Sequence, residues 1–203
     1  MKRITLPDFI WIREPIFCTR NRLHVEVVLP GATAPPPHAP LLVAVSDEYF
    51  DCDLTVRCED GGEAGLVLYH TDRTFIAIGL ADGELLITAS VMGWSNRWRV
   101  RDTVASTERV IWSMTRRCEG VSIGYRLDAD DNTQWLGCFT LPGTANSISF
   151  GPYFSNPGEN AVKAVVEVPV IAVGRMGDPA AANAALAAGD ADFIALGRPL
   201  LAD

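Results

Sequence analysis

Tryptophan and asparagine side chains that could bind a sugar are the first chemically suggestive feature of this 203-residue sequence. A flat indole ring stacks on the face of a sugar, and a neighbouring amide can hydrogen-bond its hydroxyl groups. Trp94 and Trp98 flank Asn96, and Trp135 stands apart from them. These four residues are the candidate positions for binding a glycan or another small polar molecule. The alternative is packing, because tryptophan is highly buried on average in folded proteins.

Catalytic and metal chemistry find less support in the sequence. Glu63, Glu84 and Glu108 could supply carboxyl groups for glycoside hydrolysis, but nothing in their spacing places two of them across a cleft. The three histidines lack the spacing of a metal site. The acidic segment 128–132 begins like a calcium loop, but Thr133 stands where such a loop requires glycine. We therefore expect no catalytic residue, no bound metal and no cofactor.

The charge and the cysteine content limit the partners and the compartment. A formal net charge of −8 argues against a nucleic-acid partner, which needs a basic surface to displace counterions. No stretch approaches the roughly 20 apolar residues of a membrane span, and no apolar leader segment follows the first residues. The five cysteines are an odd number without CxxC spacing. We interpret them as reduced core thiols and place the protein in the cytoplasm.

Most of the chain alternates short strand-like runs with turn signals. In Phe50–Cys58 every second residue is apolar, which is typical of a strand with one buried face. Asp82-Gly83 between two apolar runs predicts a tight hairpin turn, because both central residues of such a turn need positive φ. The proline-rich residues 34–40 predict a surface loop between two strands. Many antiparallel strands without a sustained helical period predict a sandwich or barrel. The other predicted strands are residues 64–69, 74–80, 84–91, 110–116, 121–127, 133–139 and 147–154.

The sequence pattern changes after Glu167. Residues 168–173 form a continuous apolar run, which is typical of a strand buried on both faces of a parallel sheet, and residues 192–197 predict a second buried strand. Between them, an aspartate followed by Pro179 predicts the start of an alanine-rich helix. Residues 168–203 therefore predict one βαβ unit, joined without a linker to a β-rich domain of residues 1–167.

A series of short motifs between Phe9 and Glu167 carries a family resemblance. The motifs are Phe9-x-Trp11 with Glu14-Pro15, residues 64–68, Phe75-Ile76 with Gly79, Gly93-Trp94-Ser95, residues 114–117 and residues 150–153. In this order and spacing they resemble the DUF1349 family. The resemblance implies a mostly β fold, a concanavalin A-like jelly-roll β-sandwich, with a glycan or other small polar ligand.

Two segments of the tail carry a second resemblance. Residues 168–175 and 189–203 look like the seventh and eighth strands, with their loops, of the barrel in the Old Yellow Enzyme family of NADH:flavin oxidoreductases. In that family the FMN phosphate is held by backbone amides and an arginine from these loops. Glycine lets the backbone approach a phosphate, and a guanidinium pairs with it through two hydrogen bonds. The residues so implied for the FMN phosphate are Gly174, Arg175, Gly197 and Arg198.

The size of the tail argues against flavin chemistry by this chain alone. A complete barrel needs about 250 residues, so two strands and one helix supply neither a flavin ring pocket nor the residues that handle hydride. We expect a vestigial phosphate site on a non-enzymatic β-sandwich binding or accessory module, with carbohydrate as the candidate ligand. The alternative is an FMN-dependent NAD(P)H oxidoreductase fragment, vestigial or completed by another chain. A third interpretation is a fusion without selected composite function. An apolar tail also suggests a homodimer that buries it.

Overall fold

The computed structural model divides into two compact units, Met1–Glu167 and Val168–Asp203. The residues that the structure describes are 2–3, 8–21, 24–33, 36–46, 49–58, 61–101, 110–117, 119–127, 132–142, 147–156, 158, 162–167, 171–173, 179–187 and 193–195.

The first unit is a jelly-roll-like β-sandwich of two sheets, as the sequence predicts. Neighbouring strands are antiparallel except for one short parallel pair, β1 with β6. In chain order the strands are β1 (Lys2–Arg3), β2 (Ile10–Trp11), β3 (Phe17–Arg20), β4 (His24–Leu29), β5 (Leu42–Ser46), β6 (Phe50–Cys58), β7 (Glu63–Thr71), β8 (Thr74–Ala81), β9 (Glu84–Val91), β10 (Trp94–Arg101), β11 (Val110–Arg116), β12 (Val121–Leu127), β13 (Gln134–Phe139), β14 (Ile148–Ser155) and β15 (Val162–Glu167).

The strands of the first unit form two sheets, in which many neighbouring strands are also consecutive in the sequence. Sheet A has the order β13-β12-β11-β6-β15-β4-β3, with β1 beside β6, and sheet B has the order β10-β9-β8-β7-β14-β5-β2. The alternation in β6 holds, because Cys52 and Leu54 are buried while Asp51 lies on the outer face of sheet A. There Arg117 donates hydrogen bonds of 2.6 Å to both carboxylate oxygens of Asp51, which lowers the pKa of that carboxyl group.

Aromatic side chains join the two sheets across the core. The ring of Phe50 in sheet A stacks on the ring of Phe150 in sheet B, with centroids 4.1 Å apart and planes 11° apart. Phe9 meets the same Phe150 ring edge-on at 6.1 Å. Trp112 on β11 is fully buried. Burying rings of this size is a large favourable term in folding, so these side chains hold the layers together.

The predicted hairpin turn is confirmed by its backbone angles. Asp82 and Gly83 have φ of 49° and 76°, the conformation that a two-residue turn requires to match the twist of its strands. The next turn uses Met92 and Gly93 in the same way, with φ of 54° and 94°. This second turn leads into β10, a strand that is not among those predicted from the sequence.

The proline-rich loop lies between β4 and β5, but part of it covers a sheet. Ala39 is buried and packs on the face of sheet B that points away from sheet A. Arg13 fixes this segment, since its Nε donates to the backbone oxygen of Ala39 at 3.0 Å and its Nη1 pairs with Asp72 at 3.2 Å. The Tyr69 hydroxyl donates to Asp72 at 2.7 Å and lowers the pKa of that carboxyl group. The apolar side chains around Ala39 are Leu41, Val43, Val67, Phe75, Ala77 and Tyr153.

The cysteines do not all behave as core thiols. Cys52 is buried, and burial raises the pKa of its thiol to about 12. Cys18 is half-buried, and Cys138 on the edge strand β13 is exposed. The expectation of a core position is therefore wrong for Cys138, because it lies opposite Ser122 on the outer face of sheet A. The side chain of Cys58 and the whole of Cys118 lie outside the described residues.

The second unit contains the predicted βαβ pattern. Strand β16 (Ile171–Val173), helix α1 (Pro179–Ala187) and strand β17 (Phe193–Ala195) follow in order, and the two strands pair in parallel. The helix begins at Pro179, as expected for a residue that lacks the N–H group. Among the described residues, no helix is long and apolar enough to cross a membrane.

Candidate functional site

The β9–β10 hairpin positions three of the four residues selected from the sequence. Its two-residue turn fixes the register, with Val91 opposite Trp94 and Ile87 opposite Trp98. Arg73 braces the turn from the neighbouring hairpin. The backbone N–H of Gly93 donates to the oxygen of Arg73 at 2.7 Å, and Nη2 of Arg73 donates to the oxygen of Met92 at 2.9 Å.

Trp94, Asn96 and Trp98 lie on one face of β10, and we call them the tryptophan row. They share this face with Ile87, which is buried between the sheets, yet Trp94 is 87% exposed and Trp98 42%. Sheet A therefore does not cover this edge of sheet B. Four residues of strand place the two Cα atoms about 13 Å apart. Two exposed rings at this distance, with an amide between them, can contact separate parts of an extended ligand.

Trp135 lies on the other sheet and does not join the tryptophan row. It sits on β13 at an edge of sheet A, opposite Gly124, and is 54% exposed. A Cβ atom at Gly124 would lie 3.0 Å from Cε3 of Trp135, so the ring rests close over this glycine. On the same outer face, Arg126 pairs with Asp53 at 3.2 Å. Trp135 is therefore an exposed ring outside the tryptophan row, on the face of sheet A that carries the Arg126–Asp53 ion pair.

On the face of sheet B opposite the tryptophan row, β10 contacts the buried carboxylate of Glu63 on β7. The spacing of residues in the sequence does not predict this contact. Arg97 donates to Oε2 of Glu63 at 3.0 Å, and the Tyr153 hydroxyl donates to Oε1 at 2.8 Å. The Glu63 side chain is only 5% exposed. A Cβ at Gly79 would collide with the Tyr153 hydroxyl, so glycine is needed for Tyr153 to lie in this position. This cluster ties β10 to strands in the middle of sheet B.

A second carboxylate on this face is held in the same way but nearer to solvent. Arg99 pairs with Glu84 at 2.8 Å, and the Glu84 side chain is 30% exposed. Each of the two carboxylates is engaged by an arginine, which is the arrangement of a structural ion pair. A glycosidase instead needs two carboxyl groups turned toward a sugar between them. Glu108, the third candidate from the sequence, lies outside the described residues.

The remaining sequence candidates cannot be placed in a site. Gly174, Arg175, Gly197 and Arg198, implied for the FMN phosphate, lie outside the described residues, as does most of the acidic segment 128–132. Within the ranges that the structure covers, no group of three or more His, Cys, Asp or Glu side chains is arranged to hold a metal ion.

Comparisons with known proteins identify the fold of the chain. No protein-family model matches it. The structure is similar to that of a functionally unknown protein from Saccharomyces cerevisiae, with a TM-score of 0.68 and 14% identity over 81% of this chain and 95% of that one. It is also similar to a xylan β-1,4-xylosidase from Bacillus halodurans, with a TM-score of 0.57 and 12% identity over 78% of this chain and 36% of the xylosidase. A GH43 protein from Bacillus licheniformis gives a TM-score of 0.56 and 10% identity over 79% and 36%. At these identities the likeness establishes a β-sandwich fold.

One relative is similar in sequence over a short stretch. A cinnamate reductase from Clostridium sporogenes is 53% identical over 47 residues, which amount to 23% of this chain. The chain spans only 7% of the length of that reductase.

Proposed function

We propose that this protein is a non-enzymatic binding or accessory module that holds an extended carbohydrate along β10. The observation that carries the proposal is the tryptophan row, in which two exposed rings and an amide share one face of a strand fixed by a tight turn. The likeness in fold to a xylan β-1,4-xylosidase supports a β-1,4-linked xylan chain as the first ligand to examine. The DUF1349 resemblance supports the same class of ligand. The free thiols of Cys18 and Cys52 support a reducing compartment, for which we propose the cytoplasm.

We expect the binding of xylohexaose to depend on Trp94 and Trp98. Losing one ring that stacks on a sugar removes an interaction of about 1 kcal/mol, so Trp94→Ala and Trp98→Ala should each weaken binding roughly five- to tenfold. Isothermal titration calorimetry against xylohexaose and cellohexaose measures the effect. Trp135→Ala is the matched control, since it removes a ring of intermediate exposure, 54% against 87% for Trp94 and 42% for Trp98, from the other sheet and should leave affinity unchanged. Equal losses for all three variants, or no binding by the native chain, would contradict the proposal.

A second candidate is a flavin-related role for the C-terminal unit. Its support is the resemblance of residues 168–203 to the Old Yellow Enzyme family. A reductase is also similar to a 47-residue stretch of the chain. On this proposal the unit is an incomplete part of an FMN-binding barrel, comprising strand seven, the helix and strand eight. Arg175 and Arg198 would pair with the FMN phosphate.

Flavin binding separates the second candidate from the first. If the candidate is correct, the full-length protein quenches FMN fluorescence at micromolar concentration, while the double variant Arg175→Ala/Arg198→Ala does not. Riboflavin, which lacks the phosphate, is the matched ligand control and should bind both proteins equally weakly. Identical titrations for the native chain and the double variant would remove this candidate and leave the carbohydrate proposal untouched.

A further inference from the structure

Strand β10 presents a backbone edge with a definite hydrogen-bonding pattern. Within the described residues it pairs only with β9. A two-residue turn is closed by a hydrogen-bonded pair, here Val91 with Trp94, and bonded pairs then alternate along the hairpin. The backbone groups of Trp94, Asn96 and Trp98 therefore point to β9, while those of Ser95 and Arg97 point away from it.

The Asn96 side chain confirms this direction. The backbone N–H of Arg97 donates to Oδ1 of Asn96 at 2.9 Å and not to β9. An outward N–H group on an edge strand is a ready donor for another strand, and here a neighbouring amide occupies it. Among the described residues, the acceptor for this outward N–H group is thus the exposed side chain of Asn96 and not another strand.

We propose that β10 pairs antiparallel with β10 of a second copy of this chain, with the two-fold axis at Asn96. In this register Ser95 of one copy and Arg97 of the partner subunit form a hydrogen-bonded pair. The carbonyl group of the partner's Ser95 then replaces Oδ1 of Asn96 as the acceptor for the backbone N–H of Arg97. Trp94 then lies opposite Trp98 of the partner subunit in a non-bonded pair. Side chains in such pairs approach most closely, with Cα atoms about 4.5 Å apart, and cross-strand aromatic pairs are stabilising.

Charge selects this register over its neighbours. An axis at Arg97 would place Arg97 directly opposite Arg97 of the partner subunit, and an axis at Trp98 would place Arg97 opposite Arg99 of the partner subunit. Like charges directly opposite one another destabilise a sheet. An axis at Ser95 avoids this conflict but places Trp94 opposite Asn96 of the partner subunit and loses the aromatic pairs. The Asn96-centred register alone opposes each arginine with an uncharged residue and pairs both tryptophans.

The dimer would double the tryptophan row. Residues directly opposite in an antiparallel pair point to the same side of the sheet, so two rows would form one face of four tryptophans across the axis. A carbohydrate chain could then engage both copies at once, which raises the effective affinity without new contacts. This last consequence rests on the proposed carbohydrate function, whereas the pairing itself rests only on β10.

Charge changes at Ser95 test the pairing, because Ser95 faces the partner's Arg97 twice in the dimer. Ser95 is exposed and lies on the other face from the tryptophan row. We expect Ser95→Arg to raise the dimer dissociation constant of the full-length chain about tenfold, and Ser95→Glu to lower it by a similar factor. Sedimentation velocity over a range of concentrations measures both, and circular dichroism checks that each variant is folded.

The opposite effects of Ser95→Arg and Ser95→Glu on the dimer dissociation constant distinguish this interface from other modes of association. A dimer that is indifferent to both Ser95 variants would overturn the proposal and favour burial of the C-terminal tail. A chain that is monomeric at all concentrations, including as Ser95→Glu, would also overturn it. Xylohexaose titration of Ser95→Arg keeps the two proposals apart, since a single tryptophan row should still bind the sugar when the dimer is lost.

Discussion

Replacing Phe150 with alanine is expected to lower the free energy of unfolding by about 3–5 kcal/mol, the usual cost of removing a large buried ring. Phe150 is fully buried, stacks on Phe50 from the other sheet and meets Phe9 at its edge. The substitution therefore opens a cavity at a point where both sheets and the N-terminal segment converge. The loss combines the transfer energy of the ring with the cavity that neighbouring side chains cannot fill. Urea denaturation followed by far-UV circular dichroism measures it.

Phe17→Ala is the matched control for this prediction. Phe17 is also a phenylalanine in a β-strand, but it is 55% exposed on the edge strand β3. We expect it to cost less than about 1 kcal/mol, because little packing is lost at such a site. Equal losses at the two positions would mean that the Phe50–Phe150 stack does not hold the sheets together.

Replacing Glu63 with alanine should lower the free energy of unfolding by about 2–3 kcal/mol. The carboxylate accepts hydrogen bonds from both Tyr153 and Arg97, so its removal takes this acceptor from the buried Tyr153 hydroxyl and from Arg97, whose side chain is 41% exposed. Removing one partner of a buried pair costs more than the pair itself contributes, because the other group stays desolvated. Thermal and urea unfolding of the variant report this loss.

Glu84→Ala provides the comparison within the same sheet. Its ion pair with Arg99 has similar geometry, but both side chains are more exposed to solvent. We expect a cost below about 1 kcal/mol, decreasing further as salt is added. Glu63→Gln should fall between the two, since its amide oxygen can still accept from Tyr153. If Glu63→Ala and Glu84→Ala had the same effect, the buried cluster would contribute no more than a surface ion pair.

Much of the fold was predictable because its inner strands follow simple periodicity. The predicted bounds of β6, β9, β11 and β12 match the observed ones. In each of these strands, apolar residues occupy alternate positions or form a short run, and turn signals mark both ends. Strand β10 was missed for a physical reason. As an edge strand it is exposed on both faces, so its polar and charged residues obscure the alternation of Trp94, Asn96 and Trp98. Its turn also places Met92 at positive φ, a conformation that methionine rarely adopts.

The candidate site was only partly accessible to sequence reasoning. The tryptophan row could be selected because residues two apart on a strand share a face. The Glu63 cluster could not, because Arg97 and Tyr153 lie 34 and 90 residues from Glu63 and meet it only through the order of strands in sheet B. The separation of Trp135 from the row has the same origin, since sheet membership is set by long-range pairing. A Met-Gly step ten residues after Asp82-Gly83 was the available signal for the extra hairpin.

The place of β15 in sheet A links the order of synthesis to the order in space. This strand is the last of the β-sandwich to leave the ribosome, yet it lies between β4 and β6 and pairs with both. Until residues 162–167 are available, those two strands have no common neighbour, and sheet A consists of two parts with open edges. A chain that stops before Val162 is consequently not a shorter version of the domain but one with a gap through the middle of a layer.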